Sequence, residues 1–197
     1  MLFHIASGII LVIFSVILIR KKQSLKKIHK PAQFLLKGKK PKKTKMVEGV
    51  VLFTTYPFIV LWFLTTIGFF DHLLFEKHTL YSVAGILLMT IGVTVYGVSV
   101  FQLGNKWRVG IDYEDNDYFV TNGLYAYSRH PAYLGFYLLF TGIMLHYASI
   151  IMIVFGSISI AALFFMAAEE EKYLIYKFGQ TYQAYQSKVR FLIGKKR

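Results

Sequence analysis

Five apolar blocks without Asp, Glu, Lys or Arg constrain the fold of this chain more than any other feature. They cover residues 2–19, 49–70, 79–103, 131–148 and 149–168. A helix needs about 20 apolar residues to cross a bilayer, and 55% of the 197 residues are hydrophobic. We therefore predict an all-α fold. It is one polytopic membrane helical bundle over residues 1–197, with about five transmembrane helices and a cytoplasmic C-terminal helix at about 169–190.

The distribution of basic residues predicts the orientation of these helices. Twelve Lys or Arg residues and no acid lie between Arg20 and Lys45, whereas loop 71–78 has one Lys and two acids. Cytoplasmic loops carry an excess of Lys and Arg, so we expect the N-terminus outside and the C-terminus in the cytoplasm. The first block is expected to be retained as a span, because it is long and lacks the basic leader of a signal peptide.

The same rule explains the net charge of +13 without a nucleic-acid partner. For the lysine-rich segment 37–43 we favour a solvated loop, and an anionic-lipid site is the alternative.

The sequence contains little that predicts a metal site. It has no cysteine, and its six histidines lack the spacing of zinc ligands. The acidic run within 112–117 lacks the EF-hand spacing and its glycine, so we expect a solvated loop there. We therefore predict no metal, and a reaction that uses oxygen and nitrogen groups or an organic cofactor.

A polar and aromatic cluster opens the fourth apolar block. Pro131 suits the first turn of a helix, where its missing N–H costs nothing. The free N–H groups of that turn attract an anion such as a carboxylate or phosphate, and Arg129 lies beside them in the sequence. Alternatively, Arg129 and His130 only anchor the helix at the headgroups, flanked by interfacial tyrosines.

Three consecutive acids, Glu169 to Glu171, follow the fifth block directly. Acids are poor anchors beside an anionic leaflet. On a continuing helix one of them, Glu170, can point inward while the other two remain wet, and a cationic ligand is one way to balance it. The alternative is three solvated acids, or a pair with Arg129 or Lys172.

Four motifs of the C-terminal half occur in a recognisable order. They are Gly123-Leu124-Tyr125, Arg129-His130-Pro131-Ala132-Tyr133-Leu134-Gly135, Glu170-Glu171, and Phe178-Gly179-Gln180-Thr181-Tyr182-Gln183-Ala184-Tyr185, with Leu103-Gly104-Asn105-Lys106-Trp107 before them. This combination resembles the isoprenylcysteine carboxyl methyltransferase superfamily of integral membrane enzymes, which includes phospholipid N-methyltransferases. The N-terminal half resembles it only as generic spans.

The resemblance implies S-adenosylmethionine as the methyl donor, in a cytoplasmic pocket between the segment before span four and the helix after span five. It implies that the cofactor is bound by Asp117, Tyr118, Phe119, Val120, Tyr125, His130, Pro131, Ala132, Tyr133 and Glu170. His130 and Arg129 are the catalytic candidates. His130 would serve as general base for a hydroxyl or ammonium acceptor, and Arg129 would hold Glu170 or a lipid phosphate.

The chemistry of these residues agrees with that implication. The cofactor's ammonium needs an acid, which is Glu170, and its carboxylate needs N–H groups, which the helix start at Pro131 offers. Its sulfonium needs an aromatic face, which Tyr125 and Tyr133 offer.

One position departs from the resemblance. Prenylcysteine enzymes have an arginine for the substrate carboxylate one helical turn before Glu170, whereas this chain has Met166. We therefore predict a passage for a lipophilic acceptor at Met166. Whether the acceptor is methylated at a carboxyl, hydroxyl or amine group is left open. Lipid-facing packing of Met166 is the alternative. For the whole chain, the other functions considered are a sterol-type NADPH-dependent reductase and a non-catalytic membrane protein.

Overall fold

The computed structural model describes residues 2–75, 79–113 and 119–195, and these form five α-helices. The helices are α1 (Leu2–Lys27), α2 (Lys42–Thr66), α3 (Thr79–Leu103), α4 (Pro131–His146) and α5 (Ile150–Lys188). Within these described ranges, β pairing is limited to two isolated bridges. The predicted all-α membrane bundle is confirmed.

The helices differ in their ability to cross a bilayer. Among the described residues, α1, α2, α3 and α5 are long and apolar enough to do so. Helix α4 has 16 residues, or about 24 Å, which is shorter than a hydrocarbon core of about 30 Å. The structure therefore has four full-length candidate spans and one short apolar helix, where we predicted about five spans.

Helix ends also differ from the apolar blocks. Helix α1 continues eight residues past its block to Lys27, and α2 begins at Lys42, seven residues before its block. Lys and Arg are good helix formers, so the helices continue into charged sequence. Helix α2 ends at Thr66 instead of Phe70, because Gly68 takes a positive φ of 86° and turns the chain.

Helix α5 runs through the boundary that we placed between residues 168 and 169. It stays helical past the three acids until Gly179, whose φ of 52° and ψ of −127° break it before a last stretch that ends at Lys188. Glycine adopts such a positive φ without steric cost. The break in the helix therefore falls at Gly179, and not at the change from apolar to charged residues.

Helices α3 and α4 pack with their backbones in close approach. A Cβ atom on Gly92 would lie 2.4 Å from the Leu139 backbone nitrogen, and one on Gly142 would lie 2.6 Å from the Gly85 oxygen. Small residues allow such approach between membrane helices. This pair forms a firm wall at one side of the bundle.

The segment between α1 and α2, residues 28–41, lies across the charged end of the bundle, and we call it the strap. The Phe34 N–H donates to the Val109 oxygen at 2.7 Å, and the Val109 N–H donates to the Ala32 oxygen at 2.9 Å. Leu35 is buried beneath. The strap therefore covers the helix ends and pairs with the chain that follows α3.

A buried ion pair anchors the strap. The Lys40 ammonium lies 2.7 Å from a carboxylate oxygen of Glu48, and the two side chains are 1% and 0% exposed. Glu48 also accepts hydrogen bonds from the N–H groups of Leu36, at 2.7 Å, and Ile111, at 3.0 Å. Our interpretation of 37–43 as a solvated loop is therefore wrong for Lys40, because a buried acid on α2 supplies its partner.

Candidate active site

A cavity of about 280 Å³ lies beneath the strap. All five helices contribute to its wall, together with residues 106–112. Of the residues proposed from sequence, those that line it are Phe119, Val120, Tyr125, Arg129, His130, Ala132, Tyr133, Met166 and Glu170. Pro131 is buried at the first position of α4 and does not line the cavity. Asp117 and Tyr118 lie outside the described residues.

The three consecutive glutamates point to three different partners, because successive residues on a helix are about 100° apart. Glu170 faces the cavity and accepts a hydrogen bond from the Tyr133 hydroxyl at 2.9 Å. Glu169 pairs with Lys172 and accepts a hydrogen bond from Thr44 at 3.4 Å. Glu171 pairs with Arg129.

We expected the acids beside Glu170 to remain wet, and this is wrong. The side chains of Glu169 and Glu171 are only 8% and 14% exposed. Pairing with Lys172 and Arg129, which was the alternative, is what the structure shows, because α2 and the C-terminal stretch of α5 cover both acids.

Glu171 holds together the start of α4 and the end of α5. It accepts hydrogen bonds from Arg129 Nη2 and Gln186 Nε2, both at 3.1 Å, and from the Tyr182 hydroxyl at 3.4 Å. His130 Nε2 lies 3.1 Å from Glu171 Oε1, the oxygen that also accepts from Tyr182. Burial alone would raise the pKa of Glu171, but the hydrogen bonds from His130 and Arg129 outweigh it and lower the pKa to about 2. Glu171 is therefore an ionised structural carboxylate.

Arg129 is fully engaged by these contacts. Its Nη1 donates to the Val189 oxygen at 2.6 Å and its backbone N–H donates to the Arg190 oxygen at 3.1 Å. Its bidentate partner is Glu171, so the contact with Glu170, which was one of the two alternatives for Arg129, is not formed. The reason is helical geometry, since Glu171 faces α4 and Glu170 faces the cavity.

His130 lies at the N-cap of α4 and is 4% exposed. Its ring packs 4.6 Å from the ring of Phe191, centroid to centroid. An ionised carboxylate can only accept hydrogen bonds, so Nε2 carries the proton toward Glu171. The lone pair of neutral His130 is then on Nδ1.

The first turn of α4 has no side-chain cap at its N-cap residue. Its N–H groups and helix dipole favour an anion there. Tyr125 lies beside this turn, 7% exposed, and the Tyr185 hydroxyl donates to its backbone oxygen at 2.5 Å. The break at Gly179 allows Tyr185 to reach back to this position. The charged half of the cavity thus combines an acid, free N–H groups and aromatic rings.

The opposite half of the cavity is apolar. Its wall includes Phe14 and Leu18 of α1, Val51 and Ile59 of α2, Phe136 of α4, and Leu163 and Met166 of α5. Met166 is 3% exposed, so the structure places it in the cavity wall and not against lipid. Lys22 and Tyr56 line the cavity and are also exposed, so the cavity reaches the outer surface between α1 and α2.

Sequence reasoning missed part of the wall. Trp107, Ile111 and Asp112 come from the loop after α3, and Leu35 comes from the strap. Asp112 is 14% exposed and pairs with Arg108 at 2.7 Å, so it is not the solvated acid that we expected. The remaining acids of that run lie outside the described residues. One sequence signal for the strap was available. Glu48 is the single acid among the lysines that precede the second block, which indicates a partner for one of them.

Comparisons with known proteins agree with one another. Residues 83–176 match the model of the isoprenylcysteine carboxyl methyltransferase (ICMT) family. Over 117 residues the chain is 31% identical to protein-S-isoprenylcysteine O-methyltransferase of Rattus norvegicus, covering 58% of this chain and 41% of that protein. Over 140 residues it is 31% identical to methanethiol S-methyltransferase of Crocosphaera subtropica, covering 66% and 53%.

A solved structure of the eukaryotic intramembrane Ras methyltransferase ICMT shares the fold. The TM-score is 0.51 at 23% sequence identity, and the match covers 78% of this chain and 53% of that one. The chain thus spans about half the length of the relatives that it matches.

Proposed function

Because residues 83–176 match the model of the isoprenylcysteine carboxyl methyltransferase family, we propose that the chain is an integral membrane methyltransferase of this family that uses S-adenosylmethionine and acts on a lipophilic acceptor. The observation that carries this proposal is the position of Glu170 in the cavity wall, hydrogen-bonded to Tyr133 in the first turn of α4. One acid, one helix N-terminus and two tyrosine rings meet in a single cavity.

The cavity residues fit the groups of this cofactor. Glu170 would hold the ammonium, and the uncapped first turn of α4 would hold the carboxylate. Tyr125 and Tyr133 offer aromatic faces to the sulfonium. Phe119 and Val120 form an apolar slot suited to the adenine.

The chain's own residues would align the reactants and exclude water. When bound, S-adenosylmethionine supplies an electrophilic methyl group. Glu171 fixes Arg129 and His130, and so holds the start of α4 in place. We assign Arg129 a positioning role for that reason. His130 would take a proton at Nδ1 if the acceptor is a hydroxyl or an amine. The strap and Trp107 would keep water from the reacting groups.

The apolar half of the cavity supports a lipophilic acceptor. Its wall at Met166 and Leu163 carries no charge, and the cavity reaches the outer surface between α1 and α2. An acceptor could therefore enter from the bilayer. The names of the two relatives specify different acceptors, isoprenylcysteine and methanethiol, so it is the apolar wall of this cavity that supports the lipophilic class.

The first experiment compares S-adenosylmethionine and NADPH as ligands of the detergent-purified protein by thermal unfolding. We expect S-adenosylmethionine alone to raise the unfolding temperature. Stabilisation by NADPH alone would overturn the proposal in favour of a sterol-type reductase. Stabilisation by neither would favour a non-catalytic membrane protein.

The variant Glu170→Gln tests whether Glu170, which lies in the cavity wall, binds the cofactor. We expect it to weaken S-adenosylmethionine binding by roughly 1–3 kcal/mol, because a charged hydrogen-bond partner is lost. The neighbouring change Glu169→Gln is the matched control, because Glu169 faces Lys172 and Thr44. Equal affinity of wild type and Glu170→Gln in calorimetry would remove Glu170 from the site.

A further inference from the structure

Two buried hydroxyl groups on α2 and α5 have no hydrogen-bond partner in the part of the chain that the structure describes. They are Thr55 Oγ1 and Ser159 Oγ, on residues that are 6% and 0% exposed. The neighbouring Thr54 and the later Thr65 both donate to the backbone oxygen four residues earlier. Thr55 and Ser159 therefore do not follow the usual solution for a hydroxyl inside a helix, and an unpaired buried hydroxyl costs free energy.

The register of α2 against α5 brings these two residues to the same level. Thr44 contacts Glu169 at one end of the pair, at 3.4 Å. Further along, a Cβ atom on Gly156 would lie 3.0 Å from the ring of Phe58. The helices are thus antiparallel, and Thr55, three residues before Phe58, lies level with Ser159, three residues after Gly156.

Thr55 belongs to the apolar half of the cavity. It lines the cavity together with Val51 and Ile59 of the same helix. The charged residues of the described cavity wall come from the end of α1, the loop after α3, the start of α4 and α5 from Glu170 onward. Glu170 is eleven residues from Ser159, or about 16 Å along α5. The Thr55 hydroxyl is therefore an unpaired polar group between the apolar residues Val51 and Ile59 of the cavity wall, whereas Ser159 lies level with it but does not line the cavity.

We propose that the Thr55 hydroxyl is a subsite for a neutral hydrogen-bonding group of the acceptor, such as a hydroxyl, ether or carbonyl, at the level of Ser159 along α5. This rests on the proposed function. A neutral group can pair with a hydroxyl here without the cost of burying a charge. The subsite lies about 10 Å beyond the level of Met166 along α5. The acceptor is thus an elongated lipophile with a second polar group at that distance from its methylated end.

The test uses two matched probes on the full chain in detergent micelles. One probe is a linear alkanethiol, and the other is the ω-hydroxyalkanethiol of equal length, in a series of lengths around 10 Å. The ratio of the two affinities is measured for wild type, Thr55→Val and Thr54→Val. Comparing ratios cancels the unequal partitioning of the probes into the micelle, since each variant meets the same pair.

We expect the wild type to favour the hydroxylated probe, and Thr55→Val to reduce that preference about threefold to tenfold, as for a single hydrogen bond. Thr54→Val is the control, because its hydroxyl is already bonded to the Val50 oxygen, and it should keep the preference. An unchanged preference in Thr55→Val, or no preference at any length in the wild type, would overturn the proposal.

Ligand-free stability gives a second readout. Thr55→Val removes an unpaired buried hydroxyl, so it should unfold at the same or a higher temperature than wild type. A lower unfolding temperature would show that the hydroxyl has a structural partner, and would overturn the subsite. Failure of the probes beside intact S-adenosylmethionine binding overturns only the subsite, whereas loss of S-adenosylmethionine binding beside an intact preference overturns only the methyltransferase.

Discussion

Replacement of Lys40 by methionine should release the strap from the bundle. The change keeps an unbranched side chain of similar length but removes the ammonium that pairs with Glu48. The Glu48 side chain is 0% exposed, so its charge would remain buried with the N–H groups of Leu36 and Ile111 as its remaining partners. Removal of one member of a buried ion pair costs about 3–5 kcal/mol.

The lower end of that range applies here, because two N–H donors continue to stabilise the carboxylate. A cost of about 3 kcal/mol corresponds to roughly 150-fold in the opening equilibrium of the strap. Hydrogen exchange at the amides of Leu36 and Ile111 measures this opening directly, since both donate to Glu48. Both amides should exchange about 150-fold faster in Lys40→Met.

The neighbouring change Lys39→Met is the matched control, because Lys39 is exposed, and a surface charge contributes about 0–1 kcal/mol. Exchange at Leu36 and Ile111 within about twofold of wild type in Lys40→Met would refute the reasoning. Equal acceleration by Lys39→Met would refute it as well, because the effect would then come from the net charge of the segment.

Three further outcomes are expected. The pKa of Glu171 is lowered from 4.5 to about 2. Its stabilising contribution is therefore complete above pH 4.5 and is lost as the pH falls to 2. The difference in unfolding temperature between wild type and Glu171→Gln should disappear over that pH interval. Gly142→Ala should destabilise the protein by about 1–3 kcal/mol in detergent unfolding, because its Cβ would meet backbone atoms of α3. Gly49→Ala is the control: its Cβ would lie 3.9 Å from its nearest neighbour, so the change should be neutral or stabilising. Met166→Arg should abolish binding of the alkanethiol probe while S-adenosylmethionine still binds, because it places a cation in an apolar wall; an unchanged probe affinity would show that the passage lies elsewhere.

Apolar length predicts the helices of this chain well because the bilayer imposes it. The core of each helix lies where the corresponding block predicts it, including the turn between α4 and α5 at Tyr147. The ends could not be predicted in this way, since Lys27 and Lys42 lie in charged sequence whose helical extensions also pack, with Leu25 and Thr44 buried. The shortness of α4 follows from its boundaries at Pro131 and His146, which hydropathy alone does not resolve.

The charged half of the candidate site could be predicted because its motifs are local in sequence. Most of the residues proposed between Tyr125 and Tyr133 line the cavity together with the acid Glu170, and Pro131 is the exception. The strap and the loop at Trp107 were missed because their contact joins residues about 75 positions apart, as in the bridge between Gln33 and Val109. Neither periodicity nor composition reports which distant segments meet.

The divergence of the three glutamates has a consequence for how this chain can change over generations. Each of Glu169, Glu170 and Glu171 depends on the rotational phase of α5, which advances by about 100° per residue. Insertion or deletion of one residue between Ile150 and Ala168 would turn all three carboxylates at once, so that Glu170 would leave the cavity-facing position and the acid that pairs with Lys172 or Arg129 would move into it. Conservative replacements of lipid-facing residues in that stretch leave the phase untouched. We therefore expect lineages of this protein to vary freely in the identity of those residues and to hold their number constant.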